Sequence, residues 1–188
     1  MGSVRIVAGE LRGRRLPVPA GRSVRPTSDR VREALFSILG ERVRGARVLD
    51  AYSGTGALGF EALSRGAAEA TFIESDPGTA GRLEENARRF GVASRCRVLC
   101  CRVLDRLAGN AEKAPFDLVF ADPPYGSVAE VSSFLGLAGR AEVLAGGGSI
   151  VIERDFDAPE AVAPGLERAR SERYGSTRVD FYYRSDPD

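Results

Sequence analysis

The chain of 188 residues contains no histidine, a single lysine (Lys113) and three cysteines. Without histidine there can be no histidine-based triad, and the commonest general base and the usual zinc ligand are missing too. Cys96, Cys100 and Cys101 form neither a CxxC pair nor a bridge framework, which points to a reducing compartment. No apolar run approaches the length of a membrane span, and the arginine-rich start lacks the hydrophobic segment of a secretory signal. A soluble, cytoplasmic protein with no metal centre is expected.

What is present suits one domain with a substantial core: 20.1 kDa, 43% hydrophobic and 28% charged residues. The net charge of +1 hides a segregation, because residues 1–32 carry eight arginines against Glu10 and Asp29. That segment is therefore +6 and the remainder −5. A basic arm on an acidic body suggests a polyanionic partner met by the arm.

Alternation predicts two strands of a basic hairpin, Val4–Ala8 and Arg14–Val18, around a turn at Gly9–Gly13. Thr27 or Ser28 is expected to cap a helix whose apolar stripe is Val31, Ala34, Leu35, Ile38 and Leu39. From about Ala46, strands alternate with amphipathic helices. The strands are Arg47–Ala51, Ala70–Glu74, Arg97–Cys101, Phe116–Ala121 and Ser149–Glu153. Helices are expected at Ala57–Arg65, from Pro77 to Phe90, and near Val128–Ala141. This order implies a mostly parallel sheet covered on both faces, with Glu167–Tyr174 and Thr177–Tyr183 as an antiparallel hairpin at its edge.

Two turns carry the chemistry. The first, from Asp50 to Gly59, joins a strand to a helix N-terminus and contains Gly54-x-Gly56-x-x-Gly59. Its glycines permit close backbone approach, and Glu74 stands 18 residues past Gly56, near the place of a ribose-binding acid. Asp50 just ahead of the glycines would repel a pyrophosphate but suits a ligand with a cationic amino group and sulfonium, favouring S-adenosylmethionine over NAD. Glu74 can accept hydrogen bonds from two ribose hydroxyls side by side.

The second turn, Asp122-Pro-Pro-Tyr125, follows the fourth strand of the series at the sheet's carboxyl edge, where open α/β folds bind ligands. Consecutive prolines stiffen the backbone and leave carbonyls as acceptors. If Asp122 and the Pro123 carbonyl accept the two hydrogens of an amide-like NH2, its lone pair is freed toward a methyl group by alignment rather than by a strong base. Tyr125 offers a face on which a base can lie. Cytosine C5 chemistry is rejected, because no cysteine lies beside this turn.

Together the motifs resemble class I S-adenosylmethionine-dependent amino-methyltransferases. Arg5-Ile-Val-Ala-Gly9, Arg12-Gly-Arg14, Arg25-Pro-Thr27 and Asp29-Arg-Val-Arg-Glu-Ala-Leu-Phe36 narrow the resemblance to the RsmD family of 16S ribosomal RNA (guanine-N2)-methyltransferases. It spans about residues 4–155. The resemblance implies an α/β, Rossmann-like, seven-stranded and mostly parallel sheet with a small N-terminal hairpin/helix extension. A split into a basic RNA-recognising hairpin, residues 1–26, and a methyltransferase domain, residues 27–188, follows.

It further implies that Asp50, Tyr52, Ser53, Gly54, Gly56 and Leu58 surround the donor's methionine half, with Glu74 on its ribose. Where the family often presents Asp or Asn to the adenine, this chain has Arg102, so the Arg102 or Val103 backbone is expected there. Asp122, Pro123, Pro124 and Tyr125 would hold guanine, and Arg12, Arg14, Arg15, Arg22, Arg25 and Arg30 would track RNA phosphates. The expected partner is 16S rRNA or a small-subunit assembly particle, met by a monomer. Rival readings are an amino-methyltransferase acting on DNA adenine or cytosine or on a protein glutamine, a non-catalytic assembly factor, and an NAD-dependent oxidoreductase.

Overall fold

A computed structural model of the chain describes residues 2–18, 28–109, 115–123 and 128–184. Two short strands, β1 (Ser3–Arg5) and β2 (Arg15–Pro17), pair antiparallel. After α1 (Asp29–Leu39) come β3 (Arg47–Ala51), α2 (Ala57–Ser64), β4 (Glu69–Glu74), α3 (Pro77–Arg89) and β5 (Cys96–Cys100). The chain continues through α4 (Val103–Ala108), β6 (Phe116–Ala121), α5 (Val128–Ala138), β7 (Leu144–Asp155), β8 (Leu166–Tyr174) and β9 (Thr177–Arg184). Seven strands form one sheet in the order β5-β4-β3-β6-β7-β9-β8. Those from β5 to β7 are parallel, and β9 runs antiparallel to both β7 and β8. This is a Rossmann-like α/β fold with an antiparallel edge.

Strand alternation divides the core in two. Val48, Phe72, Leu118, Phe120 and Val151 pack with α1, α2 and α3, whereas Leu49, Ile73, Val119, Ile150 and Ile152 pack with α4 and α5. The Phe36 ring of α1 lies 5.6 Å from Phe120, and the Phe60 ring of α2 4.8 Å from Phe72. Capping fixes the helix starts. Ser28 accepts from the Val31 N–H at 3.3 Å, and Asp76 accepts from Thr79 at 2.7 Å just ahead of Pro77 at the first helical position. Thr27, the other candidate cap, lies outside the described residues, as does the expected domain boundary after residue 26.

Three expectations need correcting. The first hairpin strand stops at Arg5 rather than Ala8, because the Val7 and Ala8 N–H groups turn away from β2 and donate to the Glu61 carboxylate at 2.7 and 3.0 Å. β7 starts at Leu144, five residues early. It advances from Leu144 to Ser149 while β6 advances from Phe116 to Leu118, a bulge in which Gly147 has φ +69°. Helix α4, between Arg102 and Gly109, was not expected. Its six residues are too few for a periodic signal.

The hairpin is tied into the domain. Val4, Ile6, Leu11 and Leu16 are buried in the α1–α3 core. Besides the two N–H groups, the fully buried Glu61 binds Arg65 Nε at 2.8 Å. Ser64 Oγ accepts from the Leu11 N–H at 2.9 Å and donates to the Ala8 carbonyl. Gly9, at φ +80°, crosses so close that a Cβ there would stand 1.8 Å from the Ser64 carbonyl oxygen. Arg32, also fully buried, donates to the Arg5 carbonyl at 2.7 Å. Breaking a buried, hydrogen-bonded charge typically destabilises by about 3–5 kcal/mol. Glu61→Ala is therefore expected to lower unfolding free energy by about that amount in a urea titration, whereas an exposed change such as Glu33→Ala moves it by about 0.5 kcal/mol or less.

Candidate active site

The site forms at the carboxyl ends of β3, β4, β6 and β7, where the glycine turn meets the Asp122 turn. The turn enters the left-handed region three times, at Tyr52 (φ 58°), Gly54 (φ 53°) and Gly56 (φ 76°). For a bulky tyrosine this conformation is strained. Its ring packs against Phe134 at 5.9 Å and its hydroxyl donates to Glu130 at 3.3 Å. Gly56 and Gly59 serve close packing. A Cβ at Gly56 would lie 2.5 Å from Leu83 Cδ2, and one at Gly59 2.4 Å from the Phe72 ring. Nothing but the Tyr52 carbonyl, at 4.0 Å, stands near a Cβ built on Gly54.

Carboxylates hold this turn from below. Asp50 Oδ2 accepts from the Gly59 N–H at 2.8 Å, which satisfies an otherwise orphaned donor of α2. Glu74 accepts from the Gly54 N–H at 3.0 Å and the Asp76 N–H at 2.9 Å, one on each oxygen. Ser53 is buried, and its hydroxyl faces the carbonyls of Asp50 and Ile73 at 2.5 and 3.1 Å. Leu58 packs into the α1–α3 core. Ser53 and Leu58 thus build the turn from behind, with side chains turned into the protein.

Burial raises the acids' pKa values. Asp50, 3% exposed, is pushed up to about 8. Desolvation dominates, the Gly59 hydrogen bond opposes it, and the charges of Asp122 and Glu74 add to it. Asp122 is pushed up to about 7, again mainly by burial and then by the nearby Glu153 charge. Among the described residues neither Asp50 nor Asp122 has an ion-pair partner. A sheet edge that brings Asp50 and Asp122 together, neither with an ion-pair partner among the described residues, suits a ligand that carries positive charge and N–H or O–H donors.

The remaining expected residues divide as follows. Pro123 is buried beside Asp122, while Pro124 and Tyr125 lie outside the described residues. Arg102 is exposed and caps α4 through its backbone only, and the Val103 side chain is buried in the α4–α5 core, leaving only its backbone for a ligand. Arg12, Arg14 and Arg30 are exposed. Arg15 is exposed too, with its guanidinium on Ser3 Oγ at 3.1 Å and its carbonyl accepting from Arg89. Arg22 and Arg25 lie outside the described residues. The residue missed is Glu153, a 6% exposed acid two positions before the end of β7. One signal was available, since β3, β4, β6 and β7 each carry an acid at or near the carboxyl end: Asp50, Glu74, Asp122 and Glu153.

The family described as "Conserved hypothetical protein 95" matches residues 4–183. "Ribosomal RNA small subunit methyltransferase D" of Haemophilus influenzae is 43% identical over 125 residues, 66% of this chain and 65% of that protein. The protein of the same name from Escherichia coli strain K12 is 44% identical over 124 residues, 66% of this chain and 61% of its own length. The matches thus span somewhat less than two thirds of these curated relatives. The solved structure "Putative methyltransferase yhhF from Escherichia coli" superposes with a TM-score of 0.85 at 35% identity, covering 99% of this chain and 100% of that one.

The raised Asp50 pKa links stability to pH. The folded chain retains a proton up to about pH 8 that an unfolded aspartate releases near its ordinary 3.8. Stability from the neutral form is complete below about pH 4 and is lost as pH rises toward 8. Asn keeps the acceptor for Gly59 and carries no charge, so Asp50→Asn should flatten the decline of Tm between pH 5 and pH 9. Parallel melting curves for the two proteins would overturn the assignment.

Proposed function

The chain belongs to the Conserved hypothetical protein 95 family, that of the RsmD methyltransferases, and from this premise we propose that it methylates the exocyclic N2 of a guanine in 16S rRNA. The cofactor is S-adenosylmethionine, as in methyltransferases of this fold, one of which was solved with its demethylated product. Bound, it supplies an electrophilic methyl group on a sulfonium. The observation that carries the reading is the partly buried Asp122 carboxylate, its pKa raised by desolvation, beside a glycine turn clamped by Asp50 and Glu74.

Each group has a task in this reading. Glu74, its oxygens oriented by the Gly54 and Asp76 N–H groups, accepts from the ribose hydroxyls. Asp50 offers buried negative charge to the cationic half of the cofactor. The Arg102–Val103 backbone lies past the end of β5, next to β4, where an adenine edge is within reach. Asp122 and the Pro123 carbonyl accept the hydrogens of the guanine amine, whose lone pair then points away from the ring plane. Transfer leaves a cationic nitrogen far more acidic than the amine, so its proton leaves without a strong base. Asp122 acts here by alignment and electrostatics, which function only in its charged form.

That requirement sets the pH profile. With Asp122 near 7 in the free protein, kcat/KM should be lost as pH falls below about 7 and should level off above it. Asp122→Ala is expected to lower turnover by about 100-fold or more, with S-adenosylmethionine affinity changed much less. The decisive assay uses labelled methyl donor and small-subunit particles lacking the modification, followed by mapping of the labelled base. Label on adenine N6, on cytosine or on protein would refute the guanine reading, and undiminished turnover by Asp122→Ala would refute its role.

The hairpin arginines are proposed to hold phosphates. Deleting the hairpin is a poor test, since it would strip Val4, Ile6, Leu11 and Leu16 from the core and uncover Glu61. Arg12 and Arg14 are exposed, so a double change to Ala isolates charge. It should weaken RNA binding and reduce the slope of log affinity against log salt by about 1.5, leaving cofactor binding unchanged. An unaltered slope would remove these residues from the interface.

A further inference from the structure

Guanine differs from the other amine-bearing bases at the ring nitrogen beside the amine. Its N1 carries a hydrogen, whereas adenine N1 and cytosine N3 are bare acceptors. A site with two carboxylates in the right places therefore welcomes guanine's contiguous N1–H and N2–H donors. The same site turns away the others, whose ring nitrogen would set one lone pair against another.

The sheet supplies such a pair. Ala121 of β6 stands opposite Ile152 of β7, so the next residues, Asp122 and Glu153, are neighbours across parallel strands about 4.8 Å apart. Two residues earlier on each strand, Phe120 and Val151 belong to the α1–α3 core, and continued alternation turns Asp122 and Glu153 toward that same side. Asp50, two residues after Val48 on β3, shares it. Glu153 is buried, and its charge reaches the Asp122 carboxyl.

We propose that Glu153 is the specificity-determining residue, accepting the N1–H of the target guanine while Asp122 accepts from N2. The assignment rests on the guanine-N2 reading above and deepens it. Donors from one guanine edge would lie between the two carboxylates and relieve their mutual repulsion. Two hydrogen bonds from one edge also fix the base in its plane, which presents the N2 lone pair at a constant angle. No other group is needed to reject adenine or cytosine.

The test uses two RNA substrates, identical except that one carries 2-aminopurine at the target position. That base keeps the amine but has no hydrogen on N1. Wild type is expected to use guanine about 10–100-fold more efficiently in kcat/KM. Glu153→Gln, which offers an N–H to a bare ring nitrogen, should bring the ratio to about 1 or below. Glu153→Asp keeps the charge and should retain the guanine preference at lower kcat/KM, which separates recognition from lost packing. S-adenosylmethionine binding by both variants verifies folding. A wild-type ratio near 1, or a wild-type ratio preserved in Glu153→Gln, overturns the proposal. If wild type methylates N2 in neither RNA, the guanine reading fails and this inference falls with it.

Discussion

The Glu74 carboxylate, held between the Gly54 and Asp76 N–H groups, joins β4 to the glycine turn, and the Asp50 bond to Gly59 joins β3 to the start of α2. These bonds fix a loop that would otherwise have little reason to keep three left-handed residues, Tyr52, Gly54 and Gly56, within five positions. Without Glu74, the Gly54 N–H would lose its acceptor and the strained Tyr52 conformation its support. The path of the turn is thus a consequence of two buried acids and not of the glycines alone. Glycine permits the path, but the carboxylates select it.

A second constraint runs from α2 in the other direction. At its start the helix takes its hydrogen bonds from Asp50, and further along Glu61 and Ser64 bind the hairpin backbone. One eight-residue helix therefore fixes both the glycine turn and the basic hairpin. In the proposed reading this matters for function. Phosphate contacts set register without reading sequence, so the arginines that make them have to be rigid relative to the pocket that receives the base. A flexible arm would give affinity without placing one nucleotide over Asp122.

Much of this was legible beforehand. From Arg47 onward every expected strand is present, because strands buried on both faces read as short apolar runs and the helices between them are long enough to show a period. The Gly54–Gly59 and Asp122–Pro123 turns fall where the strand series put them. What was hidden depended on tertiary partners. Glu61 reads as an ordinary helix acid until the Val7 and Ala8 N–H groups arrive from another part of the chain. Ser53 and Leu58 sit inside the ligand-binding motif yet face the protein interior, a distinction that sequence spacing does not carry. Glu153 follows the apolar run Ile150–Ile152 near the end of β7, and only the pairing of β6 with β7 makes it a neighbour of Asp122.

The acidic edge also explains why binding and protonation are joined in this protein. A carboxyl raised to about 8 by burial is mostly neutral at pH 7, whereas a cationic ligand interacts best with its charged form. In the proposed reading, docking of a sulfonium and an ammonium beside Asp50 draws a proton out of the site, and part of the intrinsic attraction is spent on that ionisation. Asp122 is likewise weakened as an acid, mainly by desolvation and then by the Glu153 charge. Added positive charge lowers the pKa of both groups, so the bound cofactor shifts Asp122 toward the charged state that its amine acceptor role requires.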